Sequence, residues 1–332
     1  MLSFYRFVCV AAFVSAYLGL PLISLHLLAQ NQEPDNSYIR LGWQQQKFEG
    51  LTQYMLFHNT TATNLPYHQH YIYDPFGTST ETITSLQLEA RYYFNRRSFL
   101  MINLPYSNNK RVTADTLNLQ EHGIGDLTII GGYQLYNSLL FKPNAVVKHL
   151  FLLQGGIKAP TGIYDRFNEI NEVEPHSMPG SGSLNFLFSG QYWLEIRGFQ
   201  MGSSVNYYLN RANKYTFRYG NATSLSLLLR YRLPLFKIIT FSPLAGINWL
   251  SRNQDYMNKQ PTPEFTKASW VVLQTGVIVQ KGRLQADFIY HLPIQSKVIG
   301  PQIEYKAQWQ VGLQYNIPQR SAQKMSSIPH SK

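Results

Sequence analysis

The chain has one cysteine in 332 residues, Cys9, and it lies inside an N-terminal apolar stretch, Phe7 to Leu28. Once that stretch is removed no thiol remains, which excludes disulfides, thiol catalysis and cysteine-ligated zinc. Charge is scarce as well. Only 14% of residues are Asp, Glu, Lys or Arg, against about a quarter in soluble domains. The formal charge is +11, yet no basic run exceeds Arg96-Arg97 or Lys110-Arg111. Nucleic-acid footprints cluster, so nucleic-acid binding is not expected. After Leu28 no apolar run reaches the roughly 20 residues of a transmembrane helix. Phosphate loops, dinucleotide fingerprints and zinc-protease helices are missing too, so neither cofactor nor metal is expected.

Aromatics are abundant, with 23 Tyr and 19 Phe. The stretch His122 to Gly162 shows how they are arranged. Leu127, Ile129, Gly131, Tyr133 and Leu135 alternate with Asp126, Thr128, Ile130, Gly132 and Gln134. Phe151, Leu153, Gly155, Ile157 and Ala159 alternate in the same way with Leu152, Gln154, Gly156 and Lys158. Period two means strands, because successive side chains leave a strand on opposite faces. A turn at Lys142-Pro143 makes the pair a hairpin with one apolar face.

The same alternation recurs along the chain. Residues 1–29 read as a secretory signal peptide cut near Ala29 or Gln30; an uncleaved anchor is the competing reading, weakened by Pro21 and His26. Residues 30–50 read as a polar periplasmic lead-in, and Leu51 to His58 as a weak first strand. Further strands end with Ile303 to Asn316, and a polar tail covers 317–332. About twelve strands result, and their connections alternate long and short, the pattern of outer-membrane barrels. The expected fold is therefore all-β: a closed antiparallel transmembrane β-barrel over residues 51–316. An even strand count returns both termini to the periplasm. The expected location is the outer membrane of a Gram-negative bacterium. Its lipid, the barrel-assembly machinery and an unidentified small solute are the expected partners.

Two motifs carry a family resemblance. Gly123-Ile124-Gly125-Asp126-Leu127 enters a Gly-Gly-Tyr strand, and Gly156-Ile157-Lys158-Ala159-Pro160-Thr161-Gly162 leaves the next. In these the chain resembles the meta-pathway phenol-degradation-type family of outer-membrane barrel transporters. The resemblance covers residues 82 to 316 in layout and the two motifs in letters. It implies a channel or transporter, in some members linked to small hydrophobic or aromatic compounds, and no enzyme.

The candidate lumen residues are Glu89, Arg91, Asp126, Lys158, Arg230, Arg232, Asp287 and Lys306, each expected on the face opposite an apolar one. Folding the hairpin about Lys142-Pro143 places Asp126 almost opposite Lys158, either as a charged constriction or as a clamp on the loop exits. Leu152, Leu228, Val272, Ile278 and Ile289 are expected on the inner face as well. Such a mixed lining suits a narrow path for small hydrophobic or amphipathic solutes moving by passive diffusion. Two alternatives stand beside it: an outer-membrane hydrolase built on His291, which lacks a G-x-S context, and a plugged barrel that presents its loops for binding. His68 and His70, with His58 nearby, could ligate a metal, but no acidic partner is fixed beside them.

Overall fold

The structure is a computed structural model and describes residues 36–58, 68–113, 118–141, 145–166, 172–173, 175–235, 238–262, 266–298 and 304–318. The strands are β1 (Asn36–His58), β2 (His68–Tyr93), β3 (Ser98–Thr113), β4 (Asn118–Ile124), β5 (Thr128–Asn137) and β6 (Val147–Lys158). They continue with β7 (Asn185–Ile196), β8 (Phe199–Leu209), β9 (Ala222–Tyr231), β10 (Ile239–Arg252), β11 (Ala268–Lys281), β12 (Leu284–Val298) and β13 (Glu304–Pro318). Each pairs antiparallel with its chain neighbour, and β1 pairs with β13, which closes the sheet into a barrel. β4 and β5 run in succession along β3, with Ile124 opposite Tyr106 and Thr128 opposite Asn103. They form one stave interrupted at Gly125, so the barrel has twelve staves.

Closure leaves no edge, which is the condition for strands to cross a bilayer. The outward face meets the same condition. Leu41, Trp43, Leu86, Leu88, Phe188, Leu225, Leu227 and Leu313 are all exposed, with Leu88 at 50%. Their in-strand neighbours Arg40, Gln44, Gln87, Ser189, Ser226 and Gln314 are buried. An apolar exterior around a polar interior inverts the soluble pattern. No helix among the described residues is long and apolar enough to cross a membrane.

Three expectations change here. Residues 36–50, read as a lead-in, form the first half of β1 and pair along their length with both β2 and β13. Ile39, Leu41 and Trp43 point outward while Arg40, Gln44 and Gln46 point inward, so the alternation is present, diluted by the run of glutamines. At the other terminus, β13 continues through Ile317 and Pro318, two residues into the segment read as tail. Lys306 is not a lumen residue. β13 carries one extra residue there, since Lys47 faces Ala307 and Phe48 faces Tyr305. A bulge of this kind shifts the alternation by one. It turns Tyr305 inward against Phe48, with ring centroids 5.4 Å apart, and leaves Lys306 exposed beside Glu304 at 2.9 Å.

The connections alternate. At one end they are short: residues 94–97, a one-turn helix at Ser138–Phe141, Arg197-Gly198, and Gly282-Arg283. Arg197, Gly198 and Gly282 have φ of 47°, 87° and 57°, as tight hairpins require. Lys142-Pro143 lies outside the described residues, as do residues 1–35 and 319–332. At the other end three connections are long, residues 159–184, 210–221 and 253–267, and the last two meet in a small sheet of Phe217–Arg218, Tyr256–Met257 and Gln260–Pro261.

Candidate channel lumen

Inside the barrel nearly every charge has a counter-charge or an aromatic face. Arg40 on β1 donates to Asp287 on β12 at 2.8 Å. Glu81 on β2 pairs with Arg111 on β3. Glu89 accepts from the Tyr38 hydroxyl, and Arg91 lies over the Tyr38 and Phe99 rings at 4.9 and 4.5 Å. Toward the short-turn end, Arg230 on β9 donates to Gln200 at 2.5 Å. Glu195 on β7 there meets Lys148 at 2.7 Å and Arg232 at 3.5 Å. Glu89, Arg91, Arg230 and Asp287 are thus buried and inward as expected, while Arg232 sits half-buried at the short-turn mouth. Arg40, Glu81 and Arg111 were missed. Arg40 falls in the segment read as a lead-in, although it alternates with Ile39 and Leu41.

Asp126 and Lys158 come together as expected, at 3.3 Å, but Lys158 is only one of the groups around the carboxylate. Asp126 sits in the break between β4 and β5 and also accepts from the backbone N–H of Gly162 (3.0 Å), the N–H of Ser181 (2.8 Å) and the Ser181 hydroxyl (2.6 Å). Gly162 and Gly180 pack so closely that a Cβ on Gly162 would lie 2.8 Å from the Cα of Gly180. The carboxylate therefore ties both ends of the 159–184 loop to the barrel wall, which favours the clamp over the constriction.

Two apolar clusters occupy the interior. One climbs from Tyr93, Phe99 and Met101 near the short turns through Ile130, Leu152 and Leu187 to Leu250, Trp270 and Val272. The other joins Trp193, Leu228, Leu244, Ile278 and Ile289. Small residues sit beneath the large ones. A Cβ on Gly202 would lie 2.6 Å from the Trp193 ring, and one on Gly132 would collide with Phe99. Beside these clusters, on the same strands as Val272 and Ile289, a row of neutral polar groups crosses the barrel seam. Gln274 of β11 stands opposite His291 of β12, His291 opposite Gln308 of β13, and Gln308 opposite Gln46 of β1, with Gln310 opposite Gln44 one pair on. Gln46 donates to Gln308 at 2.8 Å. Gln274 Nε2, Gln308 Nε2, Gln44 Oε1, both amide atoms of Gln310 and both ring nitrogens of His291 have no protein partner.

The long-loop mouth is crossed by a strap. Glu172–Val173 pairs with the end of β1, and the turn Pro175–Ser177 lies against β1, β3 and β4. Asn109 of β3 donates to the Ser177 carbonyl at 2.6 Å. From the loop between β8 and β9, Tyr219 donates to the Pro175 carbonyl at 2.7 Å. His176 meets Asp255 at 2.9 Å and stands edge-on to Phe217 and Tyr219. Burial alone would raise the Asp255 carboxyl, but the charge of Arg252 and the hydrogen bonds from His176 and Gly220 hold it below the usual carboxylate range.

Two other expectations receive no support as sites. His68 and His70 fall at the start of β2, opposite His58 and Leu56, and their side chains lie outside the described residues. Among the described residues no group of three His, Cys, Asp or Glu is placed to hold a metal. His291 has no hydrogen-bond partner on either nitrogen, so nothing orients it as the base a hydrolase needs.

No family model matches the chain, and no curated protein matches it. Solved structures do. A crystal structure of an outer membrane channel from Pseudomonas putida F1 aligns at TM-score 0.56 and 11% identity, covering 87% of this chain and all of that one. The β domain of the Bordetella autotransporter BrkA aligns at 0.47 and 10% identity, covering 85% and 100%. The CymD monoaromatic hydrocarbon channel aligns at 0.35 and 10%, covering 92% and 95%. At 11% identity the first likeness is one of fold. By that likeness and by its closed twelve-stave sheet, the chain has the fold of outer-membrane β-barrels.

Proposed function

We propose that the protein is an outer-membrane channel passing small hydrophobic or amphipathic solutes by passive diffusion, its short-turn end in the periplasm and residues 1–29 serving as the export signal. The observation that carries this reading is the polar row of Gln274, His291, Gln308, Gln310 and Gln44, whose side chains hold buried atoms without a protein partner beside the apolar Val272 and Ile289. Buried polar atoms without partners are costly in a closed core; along a path they are satisfied by water or by the passing solute. Compensation of the charges around the row leaves no single-sign ring to select ions. The resemblance of the two glycine motifs to the meta-pathway phenol-degradation-type barrels supports the same solute class.

Swelling of proteoliposomes in small uncharged solutes tests it. Uptake of neutral amphipathic solutes faster than of ions of similar size is the expected result. Vesicles that swell no faster than protein-free ones, with the strap removed as well as intact, would overturn it in favour of a plugged barrel. That second reading is supported by one observation, the strap buried across the long-loop mouth.

A further inference from the structure

The positive charge is scattered in sequence and gathered in space. At the short-turn end four connections carry Arg96 and Arg97, Arg197, Arg232, and Lys281 with Arg283. Among the described residues the one acid close to them is Glu195, buried beneath Lys148 and Arg232. Arg96, Arg197, Lys281 and Arg283 are exposed and form no ion pair within the described residues. At the opposite end Lys214 meets Asp165, Arg166 meets Glu121, Lys306 meets Glu304 and Lys47 meets Glu49, while Arg211 and Lys259 are exposed without an ion pair among the described residues. What sets the short-turn rim apart is the aromatic rings its cations rest on.

The level of that rim is marked by rings. Tyr92, Phe94, Tyr133, Phe141, Tyr231 and Tyr315 are exposed on the outward face beside the short turns, where barrels place an aromatic girdle at the lipid headgroups. Arg97 lies 5.5 Å over Phe141 and donates to Tyr133 at 3.5 Å, and Arg283 donates to Tyr315 at 3.4 Å. Guanidinium groups resting on girdle rings stand at headgroup depth, where their planar forks match phosphate oxygens. We propose that the short-turn rim binds the phosphate groups of anionic phospholipids in the leaflet from which it emerges. This rests on the membrane reading above and adds a lipid preference to it.

Spin-labelled phosphatidylglycerol and phosphatidylcholine, compared at the surface of the full chain in phosphatidylcholine vesicles, test the inference. Wild type enriches the anionic label. A variant carrying Arg96→Gln, Arg197→Asn, Lys281→Gln and Arg283→Gln loses the enrichment, by up to about fivefold for each cation removed at low salt. Asn is chosen at 197 because it tolerates the positive φ there. Replacing Arg96 and Arg283 by Lys keeps most of the enrichment, and neutralising Arg211 and Lys259 at the long-loop end leaves it intact. Equal enrichment in wild type and the quadruple variant would overturn the proposal. So would full competition by millimolar inorganic phosphate, which would mark a site for free anions. Failure of the membrane reading looks different: no folded barrel then forms in either lipid.

Discussion

Asp126 joins a loop of more than twenty residues to the wall through four contacts on one carboxylate. Replacing it with Ala leaves Lys158, the Ser181 hydroxyl and two backbone N–H groups without their anion. Removing one partner of a buried, hydrogen-bonded charge costs about 3–5 kcal/mol. The expected outcome for Asp126→Ala is rapid protease cleavage within 159–184 while the rest of the barrel resists; an unchanged digestion pattern would count against the clamp. Asp255 acts on the strap in a pH-dependent way. Its folded pKa lies below the usual value, so its stabilisation is complete above the unfolded value of about 3.9. It fades as pH falls through the lower folded value. The strap is therefore held at neutral pH and released in strong acid. Cleavage of the 172–178 region by an acid-active protease should rise below about pH 4, and Asp255→Asn should make it cleavable at neutral pH as well. At this scale the sequence was partly readable. The ion pair of Asp126 and Lys158 follows from hairpin register, whereas Ser181 and Gly162 reach the carboxylate through a loop path that no local pattern encodes.

Staves carry the next level of order. Their alternation predicts the inward position of Leu152, Leu228, Val272, Ile278 and Ile289, and all five are buried. It misleads where one residue is added. The bulge at Lys306 inverts the faces beyond it, and nothing in the letters around it signals the extra residue. The glutamine-rich opening of β1 was misread for a different reason: Gln44, Gln45 and Gln46 put polar side chains on both faces, so period two fades for three residues. Glycines on the inner face predict where large neighbours lean. Gly202→Leu drives a branched side chain into the Trp193 ring, and overpacking of this kind costs about 1–3 kcal/mol. Urea unfolding in detergent should show that loss, while Gly282→Asn in the tight β11–β12 turn, where a Cβ meets nothing within 4 Å, should cost little. A Gly202→Leu barrel as stable as wild type would dismiss the lean of Trp193 over the glycine.

For the whole molecule the decisive property is the inversion of inside and outside. Leu88 faces outward on β2, four residues from the girdle ring of Tyr92 and 50% exposed, and a lysine there should destabilise the inserted barrel by about 2–4 kcal/mol. In detergent, where micelles adapt to the added charge, the loss should be smaller. Equal stability of Leu88→Lys and wild type in lipid would argue against a bilayer around this face. The net charge of +11 shows how the whole can differ from its parts. No run of basic residues announces a binding surface, yet the hairpin topology brings every second connection to one rim, and the scattered arginines become neighbours there.

The seam between β1 and β13 has a consequence for the order of events during assembly. Gln44 and Gln310 stand side by side across it, although they are among the most distant partners along the chain. Pairings of such long sequence separation form slowly, because loop-closure entropy opposes them until the rest is in place. The row from Gln274 to Gln44 therefore exists only after the last zipper has shut. An unfinished sheet inserted early would present apolar staves to lipid, and if the protein conducts as proposed, permeability would arrive in a single step at closure.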